Sequence, residues 1–286
     1  MGRVEVFESE LATRSPFDGH GLLAFLRPRA IAGVEAATDD RYVRVVTLPH
    51  GPGVMELRPD GDRVVARFEL SDPTDLDEGV RRARHLLDLD TDPEPVDALL
   101  AQDPYLAPLV RSTPGIRLPG QVDGFEVVVR AIVGQQISVG RARAVLGEIA
   151  ARRGVAVDLP LARRYGLTHA FMTAETALRV EPEEYPMPRV RGRAIRRVAA
   201  ALTVGELELR PGIDHEAARE ALLAVSGIGP WTADYVLMRA AGHRDVLLDT
   251  DLVLRRVLDR EGIDRARTDR WSPWRSYASM HLWRIA

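Results

Sequence analysis

Residues 221–241, ALLAVSGIGPWTADYVLMRAA, hold the first pattern with chemical content. An apolar helix runs into Ser226-Gly227-Ile228-Gly229, and a second helix is expected to open at Pro230. Proline suits a first helical turn because the N–H it lacks would be unpaired there anyway. Two glycines around one apolar residue let the backbone turn sharply and approach a surface closely. The free N–H groups at the start of the second helix then suit an anion such as a DNA phosphate. Alone, GxG is also the turn of an ordinary helical hairpin.

Beyond the hairpin comes HRDVLLDTDLVLRRVL, with Asp249 and Asp251 at an expected helix start. A carboxylate there can cap the helix by accepting from its first amides. It can equally stabilise developing positive charge or orient a water molecule. These residues by themselves leave both roles, and both aspartates, open.

Two absences narrow the chemistry. The chain of 286 residues has no cysteine, so disulfides, thiolate nucleophiles, cysteine-bound zinc and iron–sulfur clusters are excluded. All 39 basic residues are arginine, so no side-chain amine can form a Schiff base. The net charge of −3 is unevenly spread. Residues 1–115 hold 13 Arg and 21 acids (net −8), and residues 116–286 hold 26 Arg and 21 acids (net +5). Phosphate contacts are therefore expected in the C-terminal part. With 45% hydrophobic and 28% charged residues and no long apolar run, a cytoplasmic protein is expected, with no membrane contact.

The elements that must position these residues fall into two textures. RYVRVVTL, GVMELRP and RVVARFEL between residues 41 and 70 read as strands, separated by the turn sequences PHGPG and DGD. GHGLLAFLRPRAI before them reads as a short apolar helix stopped near Pro28, and DLDEGVRRARHLLDL after them as an amphipathic helix. From about residue 115 helices follow at 123–137, 140–152, 173–180, 190–202, 214–225, 230–241, 251–260 and 270–284. An α+β chain results: a small N-terminal unit (1–114) with an antiparallel sheet and helices, then an all-helical region (115–286).

The hairpin followed by an acid at a helix start resembles the helix-hairpin-helix DNA glycosylases. Several blocks in order narrow the resemblance to the 3-methyladenine DNA glycosylase II (AlkA) family. They are PFDGHGLLAFL at 16–26, LPGQVDGFEVVVRAIVGQQISVGRARA at 118–144, SGIGPWTADYVLMRA and WSPWRSYASMHLW at 271–283. The resemblance implies two helical subdomains flanking a cleft. It also implies hydrolytic excision of alkylated bases from double-stranded DNA in base excision repair, by a monomer that needs no cofactor.

Residue roles follow from the same resemblance. Counting from Trp231, Asp249 has the spacing of the endonuclease III-like branch and Asp251 that of the AlkA branch, so Asp251 is the implied catalytic carboxylate. Trp231, Tyr235 and Trp283 match pocket aromatics, to which Phe25 adds a wall, and such rings suit a cationic alkylated base. Gly227, Ile228, Gly229 and Pro230 would meet DNA. Gln136 stands where the family wedges a leucine into the duplex, and Arg284 where an aromatic residue is expected. Lyase-active relatives carry lysine after the hairpin, at the place of Trp231. A structural Na+ or K+ on the carbonyls of Leu223, Val225 and Ile228 is implied as well. The alternatives are a glycosylase for deaminated or oxidised purines and a non-catalytic DNA-binding protein.

Overall fold

The computed structural model describes residues 4–286. Five strands form an antiparallel sheet: β1 (Glu5–Ala12), β2 (Glu35–Ala37), β3 (Tyr42–Leu48), β4 (Gly51–Asp60) and β5 (Arg63–Leu70), in the order β1-β5-β4-β3-β2. Asp60 pairs with Arg63, so Gly61 and Asp62 alone make the turn, with Gly61 at φ 64°. The β3–β4 loop is shorter than PHGPG implies, because Leu48 already pairs with Gly51. Edge strand β1 gives no period-two apolar signal. It carries Glu5, Glu8 and Glu10 and buries only Leu11, and such charges deter edge-to-edge pairing.

Alternation along the strands gives the sheet two apolar faces. Met55, Leu57, Phe68 and Leu70 pack with the helices Gly19–Leu26 and Leu76–Leu86. Val43, Val45 and Val54 lie against Val157, Leu159 and Leu161 on the other face. The helix Gly19–Leu26 gives way at Pro28 to a 3-10 turn, Arg27–Arg29, as the proline requires.

Two helical cores complete the fold. Helices Gly124–Gly134, Val139–Arg153, Arg189–Thr203, His215–Leu223 and Pro230–Val236 share one of them. Helices Leu252–Arg260 and Arg275–Arg284 build the other, together with Pro93–Leu100 and Leu106–Ser112. Residues 93–112, which texture alone groups with the sheet, therefore pack through Val96, Leu100, Leu106 and Val110 against the C-terminal helices. A cut at 114/115 runs through a shared core.

Three expected helices are modified. The one at 173–180 shrinks to Ala174–Ala177. The one at 270–284 begins at Arg275, after Pro273. The one at 230–241 is α-helical to Val236 and then forms a π-turn, Leu237–Ala241. Among the described residues no helix is long and apolar enough to cross a membrane.

Candidate active site

Asp251 performs the capping role that its position allows. Its Oδ1 accepts from the amides of Val253 at 3.0 Å and Leu254 at 2.9 Å, opening the helix Leu252–Arg260. The same carboxylate also takes two indole donors. Trp283 Nε1 donates to Oδ1 at 3.3 Å, and Trp231 Nε1 donates to Oδ2 at 3.1 Å. Three elements thus hold one carboxylate in a fixed orientation, and Oδ2 keeps the lesser share of partners.

The carboxylate lines a cleft of about 1050 Å³ together with Phe25, Trp231, Tyr235, Trp283 and Gln136. Trp231 and Tyr235, one helical turn apart, stack with centroids 5.2 Å apart and planes at 13°. Phe25 and Trp283 stack more loosely, at 6.4 Å and 28°. Asp249 goes elsewhere: it is exposed and lines a separate, smaller cleft with His243, Asp245 and Arg265. The structure thus brings one of the two aspartates to the aromatic residues.

The hairpin has one face in and one face out. Ile228 is buried in the helical core, while Gly227, Gly229 and Pro230 are exposed. Gly227 has φ 100°, a conformation that favours glycine, and Gly229 reaches the cleft rim. Gln135, which the motifs do not single out, ties this turn to the cleft. Its Nε2 donates to Gly227 O at 3.3 Å and to Thr232 Oγ1 at 2.9 Å. Gln136 beside it is exposed and adopts φ 58°, a strained value for a non-glycine residue. Around it the lips of the cleft are apolar and open to solvent: Ile137 and Val139 on one side, Leu252 and Val253 on the other. Arg284 pairs with Asp18.

Phe25 lines the cleft but does not present a bare aromatic face. The Arg29 guanidinium lies 3.8 Å from its centroid, and that of Arg239 lies 5.0 Å away. Arg239 sits in the π-turn, a local widening often found at functional sites. It donates to Pro119 O, to Gly120 O at 3.0 Å and to Tyr235 Oη at 2.7 Å. Burial pulls the Arg29 guanidinium below its ordinary pKa. Tyr235 opposes that shift, Arg239 adds to it and Asp251 opposes it. Sequence patterns point to neither arginine, although Arg239 stands out in hindsight as the lone charge in VLMRAA.

Beneath the cleft lies a buried ionic network that joins sheet to helix. Arg44 of β3 reaches Glu35 at 3.2 Å and Glu126 at 2.7 Å, and Arg130 reaches Glu35 at 2.7 Å. Burial alone would raise the Glu35 carboxyl, but Arg130 and Arg44 hold it well below the usual carboxylate range. Arg130 also donates to Arg29 O at 3.2 Å, so the network anchors the backbone of a cleft residue. The spacing of Glu126 and Arg130 inside an apolar helix was its one visible signal.

The hairpin carbonyls fit a hard monovalent cation in donor type. Val225 O accepts from Ile228 N at 3.0 Å, whereas the carbonyls of Leu223 and Ile228 take no loop backbone hydrogen bond among the described residues.

Comparison with known proteins gives a consistent picture. The family described as the AlkA N-terminal domain matches residues 8–123. A Mycobacterium tuberculosis protein, "Probable bifunctional transcriptional activator/DNA repair enzyme AlkA", is 38% identical over 280 residues, covering 96% of this chain and 56% of that one. This chain therefore spans about half the length of those curated relatives. Escherichia coli DNA-3-methyladenine glycosylase 2 is 32% identical over 276 residues, 94% of each chain. The solved structure of the 3-methyladenine DNA-glycosylase from Archaeoglobus fulgidus superposes with a TM-score of 0.81 over 97% of both chains, at 22% identity, and shares the fold.

Proposed function

The chain belongs to the DNA-3-methyladenine glycosylase 2 (AlkA) family, and on that footing we propose that it excises alkylated bases from double-stranded DNA by hydrolysis. The observation that carries this reading is the Asp251 carboxylate, held by two tryptophan donors inside an aromatic-lined cleft beside the hairpin.

A glycosidic bond is inaccessible in a stacked duplex, so the target nucleotide must turn out into the cleft. Trp231, Tyr235 and Trp283 offer rings for the extruded base. As the C1′–N bond breaks, positive charge develops on the sugar, and Asp251 Oδ2 faces that charge and helps orient water. The exposed hairpin backbone at Gly227 and Gly229 grips a phosphate. The carbonyls of Leu223, Val225 and Ile228 would hold Na+ or K+ there, which would supply positive charge beside that phosphate. Gln136 and the apolar lips fill the gap left in the duplex. Trp231 occupies the place where a lyase carries lysine, and the chain has no lysine, so strand cleavage through an imine is not part of this reading.

Incubation with methylated duplex DNA tests the proposal. Free 3-methyladenine and 7-methylguanine are expected in the supernatant. Binding to the same DNA with no base released would instead support a damage-binding protein without catalysis.

A further inference from the structure

Arg29 and Arg239 both stand over the Phe25 ring, yet they use their donors differently. Arg239 spends its N–H groups on two carbonyls and the Tyr235 hydroxyl. Arg29 donates Nη1 to Phe25 O at 2.9 Å, and its Nε and Nη2 reach no protein acceptor among the described residues. It lines the cleft. Its backbone is anchored by Arg130, so the group is pre-positioned rather than free to swing away.

This arrangement has opposite consequences for two kinds of base. A cationic alkylated base meets like charge on the Phe25 side, and it needs no help to leave because it departs neutral. A neutral purine leaves with the electron pair of its C1′–N9 bond, and negative charge spreads onto its ring nitrogens and any carbonyl oxygen. A guanidinium with unspent N–H groups is suited to that anion.

We propose that Arg29 is a specificity-determining residue that donates hydrogen bonds to the acceptor edge of a neutral purine lesion and stabilises it as it leaves. The inference rests on the glycosylase reading above and concerns the part of Arg29 in choosing between charged and uncharged bases. In the reaction, the C1′–N9 pair goes to the base beside Arg29, and water adds through oxygen to C1′ opposite Asp251. One proton of that water is balanced by the proton the departing base takes up, so the sum is hydrolysis.

The test compares release of hypoxanthine, a neutral base, and 7-methylguanine, a cationic one, from otherwise identical duplexes. A ratio taken on one preparation does not depend on how much of it is folded. Arg29→Gln should lower hypoxanthine release about a hundredfold, as loss of a single charge-stabilising donor does, and raise 7-methylguanine release. Arg29→Lys keeps the charge and should recover part of the loss. A ratio that stays within about threefold of wild type would assign Arg29 a structural role only. Wild-type enzyme that releases 7-methylguanine but no hypoxanthine also overturns the inference. Release of neither base defeats the glycosylase reading itself.

Discussion

The indole Nε1 of Trp231 donates to Asp251 Oδ2 at 3.1 Å, joining the first turn after the hairpin to a carboxylate twenty residues further on. The exposed hairpin turn and the carboxylate of the cleft are thereby coupled through one hydrogen bond. Trp231 also stacks on Tyr235, so its ring is fixed before any base arrives. Replacing it with phenylalanine keeps the stack and removes the donor. Trp231→Phe should reduce single-turnover base release about tenfold, the effect of one hydrogen bond to a charged group. Unchanged rates would mean that the indole positions nothing that matters to the chemistry.

Asp251 caps a helix as well as facing the cleft, and two substitutions separate these tasks. Asparagine caps nearly as well as aspartate. Asp251→Asn should therefore retain its melting temperature and DNA affinity while losing on the order of a hundredfold or more in base release. Asp251→Ala should lose the activity and about 1 kcal/mol of stability with the cap. Asp249→Asn, out in a different cleft, should retain activity. A dead Asp249→Asn beside an active Asp251→Asn would reverse the assignment.

The outcome at these two aspartates shows what the residues could and could not reveal. Capping and catalysis call for the same carboxylate at the same helix start, so sequence could not choose between them, and Asp251 both caps its helix and lines the cleft. The pairing of Trp231 with Tyr235 was legible because four residues along a helix return to one face. The three strands between 41 and 70 were legible through their turns, but edge strand β1 was not, since its glutamates break the apolar alternation. Arg29 was hidden because Pro28 and the 3-10 turn separate it from the helix that carries Phe25, and Arg239 because the Phe25 ring it meets lies far away in sequence. Helices 93–100 and 106–112 looked like part of the first unit only because they precede the change in texture; their apolar faces fit a core that forms later in the chain.

His281 makes stability depend on pH. It lies within the last helix, almost wholly buried, and its Nε2 has no hydrogen-bond partner. Burial, aided by the charge of Arg284, pushes its pKa down to about 4. The unfolded chain takes up this proton near pH 6.5, whereas the folded chain refuses it until about pH 4. Stability from this residue is therefore complete above pH 6.5 and is lost as pH falls toward 4, by up to about 3 kcal/mol. Burial raises the carboxyls of Asp88 and Asp97, whose contribution runs in the opposite sense. The comparison must therefore be with a variant: denaturant unfolding of His281→Leu should show a flatter decline from pH 7 to pH 4.5 than wild type. Parallel curves would show that His281 does not govern this window.

Base release should leave an intact abasic strand. The chain has no lysine, and Trp231 follows Pro230 at the end of the hairpin. Borohydride added during excision should trap no covalent enzyme–DNA adduct. A trapped adduct would overturn the hydrolytic reading.

The two hairpin glycines should fail in different ways. A Cβ on Gly229 would meet nothing within 4 Å, and its φ of −97° is open to any residue. A Cβ on Gly227 would lie 3.2 Å from Ala194 Cβ at a φ of 100°. Gly227→Ala should therefore cost stability, on the order of 1 kcal/mol or more, whereas Gly229→Val should fold normally. If the exposed backbone there holds a phosphate, the new side chain at 229 stands between the amides and the DNA. Gly229→Val should then weaken binding to lesion and undamaged duplex alike, because a phosphate contact carries no base information. Backbone amides need few accompanying arginines, so log affinity against log salt should have a shallow slope of about −2 to −4. Should Gly229→Val leave binding intact while arginine substitutions within residues 1–115 abolish it, the DNA face would lie on the sheet side. The hairpin would then be a structural turn and nothing more.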